Sequence, residues 1–162
     1  TGGHSIPKYN CFYYSYISQS RPFTDKYGIE NPVIGAHELV HVITHRILGY
    51  AGTKLMSEGY AVWLDGTYGG YPIKNLILKY RNEEPEKLMN PDDLLFEREG
   101  KESVYYPNAG MLLRFMMHRY GVEPINRIFA SSTNEMKDHF RQATGESWED
   151  MAGRYEQYIN AL

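Results

Sequence analysis

Cysteine is almost absent. Cys11 is the only one in 162 residues, so the chain has no internal disulfide, no thiolate cage for a metal and no His-Cys nucleophile pair. Any ion it holds must be held by imidazole and carboxylate. No apolar run approaches the roughly 20 residues of a membrane-spanning helix, and no basic-then-apolar leader profile opens the chain. Positive charge is not in excess either: a formal net charge of -3 and scattered Lys and Arg leave no basic footprint for nucleic acid. Internal repeats and low-complexity tracts are missing. What is present is a length suited to one domain with a sizeable core and 15 tyrosines, whose amphipathic rings suit a broad, half-exposed cleft.

Turn and cap residues divide the chain. Residues 1 to 10 read as irregular, 11 to 18 (CFYYSYIS) as the one convincing strand, and 19 to 30 as a loop. Asn31 and Pro32 make an N-cap and N1 pair and Gly49 a helix stop, which predicts a first helix over 32–48. A second helix is expected over 55–64, a third from Pro72 to Tyr80, a charged solvated segment after it and a short turn of helix over 91–96. Pro107 is expected to open a long apolar helix closed by Gly121, Pro124 a short one to Ala130, Thr133 to cap a third, and Ser147 with Asp150 to cap the last, Trp148 to Ile159. The fold class is therefore mainly α with a small N-terminal β element (α+β). One domain is expected over 1–162: an edge region to residue 30, a metal-binding helix pair over 31–66 and a helical part from 67 onward.

Within the first helix, His37-Glu38-Leu39-Val40-His41 spells HExxH. Side chains four apart on a helix differ by about 40° in rotation, so two imidazoles at that spacing grip one ion and place the intervening Glu beside it. That is the arrangement of a hydrolytic zinc site. A satisfied His pair on a buried helix would be the bland alternative. The apolar surroundings, Val33, Ile34, Val40, Val42 and Ile43 among them, argue against it, because unpaired His and Glu are costly to bury.

A catalytic zinc needs a third protein ligand, and Glu58 on the second helix is the candidate. It follows His41 by seventeen positions, enough for the first helix to end, turn at Gly49 to Gly52 and send the next one back past the imidazoles. Gly59 beside it marks a close approach, expected to be to the first helix. His45 continues the four-residue series but lies about 6 Å further along the axis than His41, and is read as structural. His4, His118 and His139 carry no partner signal.

HExxH followed by Ser57-Glu58-Gly59-Tyr60-Ala61-x-Trp63 resembles the gluzincin superfamily of zinc peptidases, above all aminopeptidase-like members with a later EGxA. Tyr105-Tyr106-Pro-Asn-Ala-Gly110 is similar to the helix start that carries a transition-state tyrosine in those enzymes. The resemblance runs from about residue 30 to the final Trp148 helix. It implies a zincin-like catalytic domain, one Zn2+ ion bound by His37, His41 and Glu58, and hydrolysis of a peptide or protein substrate. Glu38 is then the general base, with Tyr106, or failing that Tyr105, as oxyanion donor. Two departures stand out. The interval from His41 to Glu58 is shorter than in thermolysin-like enzymes, and position 62, where they carry an Asp that orients a zinc histidine, is Val. Asp65 or a backbone carbonyl is expected to take that part. Endopeptidase and aminopeptidase action both fit, and the strand at 11–18 would offer an edge for an extended peptide. The rival reading is a non-catalytic peptide- or protein-binding module that keeps the zincin fold.

Overall fold

The computed structural model describes residues 3–9, 11–14, 36–97 and 101–162. Among them are eight α-helices and two small two-stranded sheets, so the mainly α class with a small β element holds. The N-terminal sheet pairs β1 (Gly3–Ile6) with β2 (Cys11–Tyr14) antiparallel, Gly3 opposite Tyr14 and Ile6 opposite Cys11. The strand expected over 11–18 is seen to Tyr14; residues 15–18, the loop at 19–30 and the Asn31-Pro32 cap lie outside the described residues. Residues 3–6, expected to be irregular, form β1, because GHSI has weak strand preference of its own and gains its order by pairing.

Helix α1 (His37–Leu48) stops at Gly49, whose φ of 84° suits glycine, and α2 (Lys54–Asp65) starts where the Thr53 hydroxyl accepts the Met56 N–H. A second hairpin follows, β3 (Thr67–Tyr68) with β4 (Tyr71–Pro72), too short to be legible in sequence. Helix α3 (Ile73–Glu83) runs three residues past its expected end. After α4 (Pro91–Leu95) comes α5 (Glu102–Tyr120), the central helix. Its Met111, Leu112, Leu113 and Met116 are fully buried, as expected of a helix apolar on nearly all sides.

Pro107 does not open α5 but sits inside it. A proline there deprives the carbonyl four residues back of its N–H partner. The Tyr80 hydroxyl of α3 donates to that carbonyl, Ser103 O, at 3.2 Å, which is why the helix tolerates the proline. Helix α6 (Val122–Arg127) likewise begins before Pro124, since any first-turn position accepts a residue without N–H. Helix α7 (Met136–Thr144) is not capped by Thr133; Ser132 instead bonds the Glu135 carboxylate through both N–H and hydroxyl. The expected cap of α8 (Trp148–Ala161) is present: Ser147 Oγ accepts the Asp150 N–H at 3.1 Å. Trp148 is 1% exposed and its indole N–H donates to Asp92 Oδ1 at 2.9 Å, pinning α8 to α4.

Two glycines fix how α2 meets α5. A Cβ on Gly59 would lie 2.6 Å from Leu113 Cδ2 and 3.1 Å from Ala109 O, and a Cβ on Gly110 would lie 2.4 Å from Val62 Cγ1. The neighbour of Gly59 is therefore α5, not the first helix as the sequence led us to expect. Helix α1 also buries one face only: Leu39, Ile43 and Ile47, four apart, are exposed.

Candidate metal centre

Helices α1 and α2 are tied at both ends. The short connector through Gly52 joins them at one end. At the other, Asp65, the last residue of α2, accepts the Ala36 N–H at Oδ1 (2.6 Å) and the Thr67 hydroxyl at Oδ2 (2.8 Å). His37 and His41 lie one turn apart on α1, and α2 runs back alongside to bring Glu58 to them.

Three donor atoms converge there. His37 Nε2 and His41 Nε2 are 3.2 Å apart, and Glu58 Oε2 lies 3.2 Å from the first and 3.5 Å from the second. Zinc bonds of about 2.0–2.1 Å at tetrahedral angles require ligand atoms roughly 3.3–3.4 Å from each other. The triangle matches that spacing. Among the described residues this is the one group of three His, Cys, Asp or Glu side chains so placed. Burial pushes the Glu58 carboxyl up, but hydrogen bonds from His37 and His41, together with the charge of both rings, outweigh it and bring the carboxyl down to about 2. Glu58 is thus an anionic donor throughout the neutral range.

Glu38 follows His37 directly and is buried, 9% exposed. Tyr106 stacks on the His37 ring, with centroids 6.0 Å apart and planes within 18°. Its phenol is raised well above the ordinary tyrosine value, first by burial and then by the negative charges of Glu58, Glu102 and Glu38 and by the neighbouring Tyr68, so it stays a neutral O–H donor. Tyr105 is placed differently: it is 4% exposed and its hydroxyl donates to Leu94 O at 2.8 Å. The one donor of that side chain is thus engaged by α4 in the core, unlike that of a tyrosine free to serve the fallback role.

The backing of the imidazoles also differs from expectation. Asp65 holds Ala36 and Thr67 rather than a histidine, whereas Ser57 Oγ lies 3.4 Å from His41 Nδ1. Sequence reading passed over Ser57. Its signal was a lone hydroxyl beside Glu58 in an otherwise apolar half-turn. Tyr68, 5.6 Å from Tyr106 in T-shaped contact, was missed with its hairpin. His45 stands outside the triangle, as expected, its ring 4.0 Å from that of Tyr50. His139 does have a partner, Ser131 Oγ, at 2.8 Å from Nδ1. A cavity of about 150 Å3 opens beside the centre, lined by His41, Ser57 and Glu58 together with His45, Tyr50 and Phe129.

Among the described residues no helix is long and apolar enough to cross a membrane. Comparison with family sequence models, with curated proteins and with solved structures yields no match.

Proposed function

We propose that the protein is a zinc-dependent metallopeptidase whose single ion is held by His37, His41 and Glu58. The observation that carries this reading is the triangle of Nε2, Nε2 and Oε2 at tetrahedral spacing, with a buried carboxylate on the residue directly after the first ligand. Two neutral imidazoles and one carboxylate are a borderline-soft donor set that suits zinc and leaves a net positive charge. When bound, the ion supplies Lewis-acid polarisation of a carbonyl and of water.

The chain's own groups do the rest. Glu38 accepts a proton from the attacking water as its oxygen bonds to the scissile carbonyl carbon, and delivers that proton to the amine as the C–N bond breaks. Tyr106 donates its phenolic hydrogen bond to the oxygen that becomes negative in between. Its raised pKa favours the donor form. The N-terminal hairpin would give an extended substrate an edge to pair with.

The test pairs metal analysis with peptide cleavage. Wild type should carry about one zinc per chain and cleave members of a mixed peptide library, read by mass spectrometry. Glu38→Gln should keep its zinc and lose about 10²–10⁴-fold in rate. A zinc-replete Glu38→Gln protein of full activity would remove Glu38 from the mechanism, and a zinc-replete wild type that cleaves nothing would leave the binding-module reading.

A further inference from the structure

Resting on that metal centre, we infer that Ser57 is the positioning residue for His41, a neutral hydroxyl doing what a carboxylate commonly does behind a metal-bound histidine. An imidazole that ligates through Nε2 carries its proton on Nδ1, and the acceptor of that N–H fixes the ring and sets the ligand's basicity. His41 Nε2 is a corner of the triangle, which leaves Nδ1 facing Ser57 Oγ at 3.4 Å.

Three other polar side chains among the described residues are engaged elsewhere. Asp65 holds Ala36 N and Thr67 Oγ1, the Thr44 hydroxyl donates to Val40 O at 2.8 Å, and Glu58 Oε2 faces both Nε2 atoms. Val62, the residue one turn after Glu58, is fully buried and apolar. Ser57, one residue before Glu58 on α2, is held by the same helix that supplies the third ligand, and its backbone N–H is already satisfied by Thr53 O. One rigid turn therefore delivers both a ligand and the brace of another ligand.

A hydroxyl brace has a chemical consequence. A carboxylate behind His41 would push electron density through the ring and add a second negative charge near the ion. Serine fixes the ring without adding charge, so the ion keeps more of its electrophilic character and binds less tightly than it would over a carboxylate.

Zinc affinity of the full chain, measured by chelator competition, tests this. Ser57→Ala should bind zinc about 10- to 100-fold more weakly than wild type, and Ser57→Thr, which keeps the hydroxyl, should restore wild-type affinity. The zinc-loaded wild type should also show a slowly exchanging imidazole N–H proton resonance for His41 that Ser57→Ala lacks. Matching circular dichroism and metal-free melting of the variants would establish that the fold is intact. If Ser57→Ala binds zinc as tightly as wild type, or Ser57→Thr as weakly as Ser57→Ala, the assignment of Ser57 is overturned while the centre stands. If wild type itself takes up no zinc, the metal centre falls and the role of Ser57 with it.

Discussion

Replacing Gly110 by Ala should destabilise the protein although Ala is the better helix former. In a helix interior the exchange ordinarily gains about 1 kcal/mol. Here the added methyl would lie 2.4 Å from Val62 Cγ1 and 2.8 Å from Val62 Cβ, against an optimum near 3.5–4.0 Å. Val62 cannot give way by changing rotamer, because it is β-branched, helical and fully buried. The helices must separate, and overpacking of this kind costs about 1–3 kcal/mol. With contacts this short the upper part of that range applies, so the net loss is about 1–2 kcal/mol, or roughly 2–8 °C in Tm for a domain of this size. Gly153→Ala is the control: nothing lies within 4 Å of its added Cβ on the exposed face of α8, and it should gain stability. Urea and thermal unfolding of the two variants decide the matter. A Gly110→Ala protein as stable as wild type, or shifted the same way as Gly153→Ala, would refute the close-packing argument. Because Tyr106 sits one turn before Gly110 and Glu58 lies on the opposing helix, zinc affinity should fall together with stability.

Three further outcomes are expected. Tyr106→Phe should lower kcat about 10²–10³-fold with KM and zinc content unchanged; an unchanged kcat would take Tyr106 out of the reaction. Zinc at 100 times its Kd should raise the stability of wild type by about 2.7 kcal/mol, seen as a higher Tm, whereas His37→Ala should show no such rise. Glu146 accepts hydrogen bonds from Tyr120 (2.7 Å) and Arg119 (3.3 Å) and pairs with Arg154. Burial pushes its carboxyl up, but these partners bring it below its ordinary 4.5. Its stabilisation is therefore fully present above pH 4.5 and lost as pH falls through the lower folded value. Glu146→Gln should cost stability at pH 7, and the difference from wild type should vanish in acid-unfolding curves toward low pH; a gap independent of pH would refute the assignment.

What was legible in sequence was what the covalent chain itself fixes. His37, Glu38 and His41 share one helix, so their spacing alone determined their geometry, and the Ser147 cap of α8 was local in the same way. Glu58 required one tertiary step, that α2 folds back along α1, which the length of the connector made plain. Contacts across helices were less legible. Gly59 announced that something lies close, not which helix it is. Tyr105 and Tyr106 are adjacent, but about 100° of helical rotation sends one hydroxyl to Leu94 and the other ring onto His37. Pro107 misled because its cost is met by Tyr80, 27 residues away in sequence. Ser57 was passed over because the expected brace was Asp65 or a backbone carbonyl, not a neighbouring hydroxyl.

The clasp of Asp65 on Ala36 closes the segment from residue 36 to residue 65 into a hydrogen-bonded ring, with its donors already spaced for a small cation. A cation that bound there would meet donors already in place, so its capture would ask for little rearrangement of the chain. Such a seat would discriminate by donor type. Calcium, which asks for six to eight oxygens at about 2.3–2.6 Å, would find two imidazole nitrogens and one carboxylate instead.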